Sequence, residues 1–158
     1  MKKTNALRLL DLEEISYETL EYDSNAEVDG VQIAALNDLP PQKVFKTLVA
    51  EGKDKNHFVF VIPVSEELDL KKAARVTDEK KMEMLPVKKL TALTGYVRGG
   101  CSPVGMKKEF PTWIHKSAEA YEEIYVSAGK KGLQMRISPQ DLARVAKADF
   151  ADLTKEGN

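Results

Sequence analysis

The run His57-Phe58-Val59-Phe60-Val61-Ile62 restricts the fold more than any other stretch of the chain. A strand with one face in water alternates apolar and polar side chains. This run is apolar on both faces, so it predicts a strand passing through the middle of a sheet. The chain can build such a core. Its 158 residues, 42% of them hydrophobic, suit one domain that buries roughly two-thirds of its unfolded surface. No repeat, low-complexity tract or linker interrupts it, so residues 1–158 are expected to form a single compact domain.

Around that strand the pattern predicts interspersed helices and strands. Residues 4–13 read as an opening helix, with Ala6, Leu9, Leu10 and Glu13 on one face at 3–4 spacing. Residues 16–22 alternate as a strand, 31–36 read as a short helix, and Pro40-Pro41 starts another. Residues 46–50 follow as a strand. Residues 68–75 are helix-like, 81–85 fit either state, and 87–93 form a helix with Val87, Leu90 and Leu93 inward, closed by Gly95. Residues 96–98, 112–115, 123–127 and 133–137 read as strands. Ser138-Pro139-Gln140-Asp141 is a helix start, with a capping serine, proline at N1 and an acid at N3, and Leu142, Val145 and Ala146 make that helix's buried face. Elements interspersed without strict alternation predict an α+β fold with a mixed sheet.

Charge excludes more than it identifies. With 24 basic and 25 acidic residues the net charge is -1, whereas a free-standing DNA-binding domain is usually clearly basic. Six Lys-Lys doublets, at 2–3, 71–72, 80–81, 88–89, 107–108 and 130–131, are ordinary solvated surface unless several converge into a landing site for phosphates. One cysteine, Cys101, excludes an internal disulfide and a cysteine metal cluster. No His/Asp/Glu grouping has metal-ligand spacing, so no metal or other cofactor is expected. The first residues lack the apolar core of a signal peptide, and no apolar run approaches the ~18 residues of a membrane span. The expected location is the cytoplasm.

Two features could carry chemistry. The segment from Gly95 to Gly105 holds four glycines and a proline in eleven residues, which lets backbone amides approach an anion or a carbonyl oxygen. A tight turn between strands would use the same composition, and neither phosphate-loop pattern is present. Cys101 lies in this segment, but a catalytic thiol needs a base, and His57 and His115 are remote in sequence. Lys46 stands in Val44-Phe45-Lys46-Thr47-Leu48-Val49, an apolar run where a lone charge either snorkels to an edge or enters a polar cavity. Both readings fit. Ser127-Ala128-Gly129 is either a strand end or a source of hydroxyl and backbone donors.

These segments together resemble the YbaK/EbsC family of aminoacyl-tRNA deacylases. The matching residues are Lys3-Thr4-Asn5-Ala6, Val44-Phe45-Lys46-Thr47-Leu48, Glu67-Leu68-Asp69-Leu70-Lys71-Lys72, the long run from Leu93 to Lys108, and Val126-Ser127-Ala128-Gly129. The resemblance implies a mixed sheet, partly barrel-like and flanked by helices, related to editing domains of prolyl-tRNA synthetases. It also implies hydrolysis of mischarged tRNA, best described for cysteine on proline tRNA. The family's functional lysine falls on Lys46, beside Thr47, and its G-G-x-S-P loop on Gly99, Gly100, Ser102 and Pro103. Its S-x-G strand end falls on Ser127 and Gly129, and Tyr22 is carried over by its place after the first helix. Cys101 occupies the unreserved position of the loop, as a substrate contact and not a nucleophile.

The implied chemistry has a physical rationale. Cysteine and proline are close in size, and a synthetase pocket discriminates poorly on a small apolar difference. The thiol of the wrong amino acid can attack its own ester carbonyl, so the protein needs only to position and stabilise charge. On this reading Lys46 meets the 3′-terminal phosphate or the aminoacyl group, and amides around Gly99–Ser102 hold the carbonyl. The expected partner is aminoacyl-tRNA, with prolyl-tRNA synthetase a candidate source of tRNA selectivity. Two alternatives stand: a deacylase for alanine or another small amino acid, and a non-catalytic module that binds tRNA or a nucleotide.

Overall fold

The computed structural model describes residues 2–22, 34 and 38–156. Among these residues eight strands form two sheets. Strands β1 (Glu18–Glu21), β7 (Leu133–Ile137) and β6 (Ile124–Lys130) make an antiparallel three-stranded sheet in the order β1-β7-β6. The other has the order β4-β2-β3-β5-β8, from β2 (Phe45–Gly52), β3 (His57–Pro63), β4 (Met82–Met84), β5 (Thr112–His115) and β8 (Ala148–Ala151). β2 pairs antiparallel with β3 and β4, while β3, β5 and β8 run parallel, so this sheet is mixed. As its composition requires, β3 is the central strand, with Phe60, Val61 and Ile62 fully buried. A parallel bridge between Val44 and Tyr125 joins the sheets beside β2 and β6. The two sheets meet there without closing into a barrel.

Alternation along β3 divides the interior. Val59 and Val61 join the main core between the sheets with Phe45, Ile114, Val126 and Met135. Phe58, Phe60 and Ile62 face the other way, onto Leu68, Ala73, Ala74 and Leu153. Four helices supply cover among the described residues. Helix α1 (Asn5–Leu12) is capped by Thr4, whose hydroxyl accepts from the Leu7 amide at 3.2 Å. It buries Ala6, Leu7 and Leu10 completely, each leucine stabilising the fold by about 1.5–3 kcal/mol. Leu7, not Glu13, completes that face, because Glu13 is the exposed C-cap. Helix α2 (Leu70–Val76) starts on Asp69, which accepts from the Lys71 and Lys72 amides. Helix α3 (Val87–Thr94) ends on Gly95 in the left-handed conformation, φ 86°. Helix α4 (Pro139–Ala146) starts on Ser138, which accepts from the Asp141 amide, with proline at N1.

Several expectations need correcting. Val87 is the first residue of α3 and 56% exposed, while Leu90 and Leu93 pack on the core. In α4 the fully inward pair is Leu142 and Ala143 (Val145 and Ala146 are half-buried). Pro40-Pro41 opens only a short turn of 3-10 helix, Pro41–Lys43, because Val44 is already extended and bridged to Tyr125. Residues 96–98 form no strand, and β8 is a strand the sequence pattern did not reveal. The helix expected over 31–36 lies outside the described residues apart from Ala34, which is helical and buried. No helix among the described residues is long and apolar enough to cross a membrane.

A buried polar latch fastens the end of the chain. The Leu153 amide donates to His115 Nδ1 at 3.1 Å, so the neutral ring carries its proton on Nε2, 3.5 Å from Thr154 Oγ1. Thr154 in turn donates to Glu66 at 3.1 Å, and Lys72 binds both Asp152 and the Thr154 carbonyl. Burial lowers the His115 pKa below its ordinary 6.5, with Lys116 and Lys72 acting in the same direction and Glu66 and Asp152 opposing. The unfolded chain therefore takes up the proton more readily. The latch's contribution is fully present above about pH 6.5 and is lost as pH falls through the folded value. Denaturation midpoints should drop between pH 7.5 and 5, and His115→Asn, whose amide oxygen can still accept from Leu153, should flatten that drop. An equal drop in the variant would place the pH dependence elsewhere.

Candidate active site

Lys46 is the charged member of an apolar stripe. On β2 the alternate residues Lys46, Leu48 and Ala50 share a face, and Val44 continues it beyond the strand. Val44 packs in a small cluster with Ala34 and Val64, while Leu48 and Ala50 belong to the apolar layer under α2. Lys46 lies between these clusters, half-buried and opposite Ile62. Its stem can pack on either side while the ammonium reaches a polar neighbour.

The bridge between the sheets defines that neighbourhood. Val44 and Tyr125 pair in parallel, so two residues further along each chain come Lys46 and Ser127, on the same face. Phe45 and Val126 confirm the register from the opposite side, where both enter the main core. Ser127 stands opposite Gln134 on β7, and Gln134 opposite Leu20 on β1. Cross-strand partners share a face. Tyr22 prolongs that face of β1, with its amide donating to the Gly132 carbonyl at 2.9 Å. Gln134 is only 5% exposed, and its side-chain oxygen is buried with no partner among the described residues. A buried amide oxygen left unpaired disfavours the fold unless something donates to it. Lys46, Ser127, Gln134 and Tyr22 thus form one polar face.

The glycine loop closes one end of this face. Thr94 accepts from the Tyr96 amide, and the Tyr96 hydroxyl donates to the Val104 carbonyl at 2.6 Å, tying the loop across its base. A Cβ on Gly100 would lie 2.7 Å from the Lys131 nitrogen and 2.8 Å from the Lys130 carbonyl carbon. Only glycine allows this backbone-on-backbone contact with the turn between β6 and β7. At the end of β6 the pairing is irregular between Ser127 and Lys130, and the Gly129 amide donates to the Ser127 hydroxyl at 3.2 Å. Gly129, at φ 106°, packs against both Thr4 and Tyr96, and the Thr4 hydroxyl donates to the Ala128 carbonyl. One threonine therefore caps α1 and holds the strand end beside the loop.

No side chain here is a ready nucleophile. Burial pushes the Cys101 thiol up to about 12, against a smaller lowering by a hydrogen bond with Thr94, so it stays protonated at neutral pH. Ser102 is fully buried and accepts from the Val104 amide. Of the loop amides, that of Gly100 donates to the Val97 carbonyl, while those of Cys101 and Ser102 donate to no backbone carbonyl among the described residues. His57 pairs with Glu51 at the far end of β3, about 17 Å along the strand from Ile62. His115 lies on the face of Lys46 two strands away, with both ring nitrogens engaged by the latch.

A model of the aminoacyl-tRNA editing domain matches residues 27–145. The chain belongs to the aminoacyl-tRNA editing domain family. A relative from Enterococcus faecalis, named as a Cys-tRNA(Pro)/Cys-tRNA(Cys) deacylase, EbsC, is 42% identical over 154 residues, covering 97% of this chain and 94% of that one. Two solved structures share the fold. One, described as a trans-editing enzyme for prolyl tRNA synthetase, superposes with a TM-score of 0.84 at 22% identity, over 99% of this chain and all of that one. The other, from work on grafting epitope backbones onto scaffold proteins, gives 0.84 at 23% identity with the same coverage.

Within this editing fold the expected residues fall into two groups. Lys46, Ser127 and Tyr22 share the polar face, and Gly99, Gly100, Cys101, Ser102, Pro103 and Gly129 build the loop and strand end beside it. Thr47 lies on the other face of β2, toward the main core, where its hydroxyl is buried without a partner among the described residues. Gln134 was missed by sequence reasoning. Its signal was an amide between Leu133 and Met135 in a strand assigned as ordinary.

Proposed function

We propose that this chain hydrolyses the ester of cysteine wrongly attached to proline tRNA, residues 1–158 acting as one editing domain without a cofactor. The observation that carries the reading is the placement of Lys46 with Ser127 and Gln134 on one face, beside loop amides, with no protein nucleophile among them. Such a site binds and stabilises developing charge, and leaves bond-making to the substrate. The substrate thiol supplies what is lacking. Its sulfur bonds to the ester carbonyl carbon, the bond to the ribose oxygen breaks, and the thiol proton passes to that oxygen. Water then opens the cyclic thioester to free cysteine. The Lys46 ammonium and the amides of Cys101 and Ser102 stabilise the negative charge on the carbonyl oxygen, while Ser127 and Gln134 hold the amino acid. The 42% identity to a relative named as a Cys-tRNA deacylase supports the same substrate class.

Alanine is cysteine without the thiol, so comparing the two isolates the proposed step. Purified protein with cysteinyl-, alanyl- and seryl-tRNA(Pro) is expected to release cysteine fastest by a wide margin. Equal or faster alanine release assigns the chain to a sister deacylase. Tight tRNA binding with no release leaves only the binding module. Adding prolyl-tRNA synthetase to the same assay is expected to sharpen the choice of tRNA.

A further inference from the structure

The polar face ends at a second feature, the turn between β6 and β7. Lys130 ends β6 and Lys131 opens this turn, and the glycine loop lies directly against their backbone at Gly100. A Cβ built on Gly99, at φ 83°, would lie 3.6 Å from Cγ and Cε of Lys131, so the Lys131 stem runs past this glycine, and Arg98 is its chain neighbour. Arg98, Lys130 and Lys131 are all exposed. None of them enters an ion pair among the described residues. The local sequence explains why. Residues 94–108 and 124–136 contain no aspartate or glutamate. A chain of net charge -1 therefore gathers three exposed cations on one rim, with no carboxylate in either segment to neutralise them.

We infer that Arg98, Lys130 and Lys131 form a phosphate-binding rim for the acceptor-stem backbone of tRNA, next to the 3′ end held at Lys46; this rests on the proposed function. Lys130 is three residues along β6 from Ser127, at most about 10 Å across the irregular strand end. A backbone whose 3′ end is seated between Lys46 and Ser127 can leave past this turn, where Lys130 and Lys131 stand beside the loop that carries Arg98. Contacts to phosphate contribute affinity without base preference and release counterions. The rim thus accounts for tRNA binding by a nearly neutral protein, and leaves the choice among tRNAs to other contacts.

The experiment compares wild type, Lys130→Ala/Lys131→Ala and Lys130→Arg/Lys131→Arg in three measurements. These are binding of uncharged tRNA across a salt series, hydrolysis of cysteinyl-tRNA(Pro), and hydrolysis of the cysteine ester of adenosine, which lacks the stem. The alanine pair is expected to raise the KM for tRNA roughly tenfold and to lower the salt slope by about 2, with the small ester cleaved as by wild type. The arginine pair should restore both binding and slope. An unchanged slope, or no measurable tRNA binding by wild type, overturns the rim. So does an equal loss on tRNA and on the small ester, which would mean that the turn only braces the glycine loop. If wild type binds tRNA but hydrolyses neither substrate, the hydrolase reading fails, while the salt slope still decides the rim.

Discussion

Lys46→Met is expected to lower kcat/KM for cysteinyl-tRNA(Pro) by about 10²–10³, while the melting temperature moves by no more than a few degrees. The reason lies in the stripe that holds the residue. Between Val44 and Leu48 the lysine stem is flanked by apolar clusters, and methionine reproduces most of that stem without its charge. The variant therefore removes electrostatics and leaves packing, which Lys46→Ala would not separate as cleanly. Lys46→Arg should retain more activity than Lys46→Met, but less than wild type, because a planar fork cannot place its charge where a compact ammonium does. The division of the loss identifies what the ammonium meets. A fall in kcat assigns it to charge that develops on the carbonyl, and a rise in KM alone assigns it to uniform binding, as of the terminal phosphate. Near-wild-type turnover in a folded Lys46→Met protein would remove Lys46 from the mechanism.

That a lysine could be singled out from sequence follows from where it stands. Charge within Val44-Phe45-Lys46-Thr47-Leu48 is conspicuous because strand alternation gives no solvated face to receive it. The central strand β3 was legible for the related reason that no polar residue interrupts it from Phe58 to Ile62. The Ser138 cap and the Gly95 terminus were legible because each is settled within a few residues of itself. What was hidden depends on distant pairing. Residues 96–98 have a strand-like composition, but the Tyr96 hydroxyl binds the Val104 carbonyl and folds the segment into a loop. Strand β8 exists because β5 offers it a parallel edge, a partner more than thirty residues away in sequence. Gln134 and Thr47 show the same limit within the site. Their faces are fixed by registers with Ser127 and Val61, which no local pattern contains.

Those long-range registers make the contact at Gly100 the second sensitive point. Gly100→Ala puts a methyl group 2.7–2.9 Å from backbone atoms of Lys130 and Lys131, and no side-chain rotation relieves contacts with backbone. The loop must move away from the turn, at an expected loss of about 1–3 kcal/mol in stability. The displacement matters more for catalysis. The amides of Cys101 and Ser102 belong to the loop, whereas Ser127 and Gln134 lie on the strands that lead into and out of the turn. Separating the two surfaces by a fraction of an ångström misaligns the amides with the carbonyl held opposite them, and misplacements near 1 Å lower rates by up to about 10²-fold. Gly99→Ala is the matched control. It carries left-handed strain at φ 83°, about 1 kcal/mol, but its Cβ would meet only the flexible Lys131 stem at 3.6 Å. With both variants assayed well below their melting temperatures, Gly100→Ala should lose ten- to a hundredfold in kcat/KM, as roughly set by that geometry, and Gly99→Ala far less. Equal activities at matched stability would show that the loop acts on the fold alone, and that its amides take no part in holding the substrate.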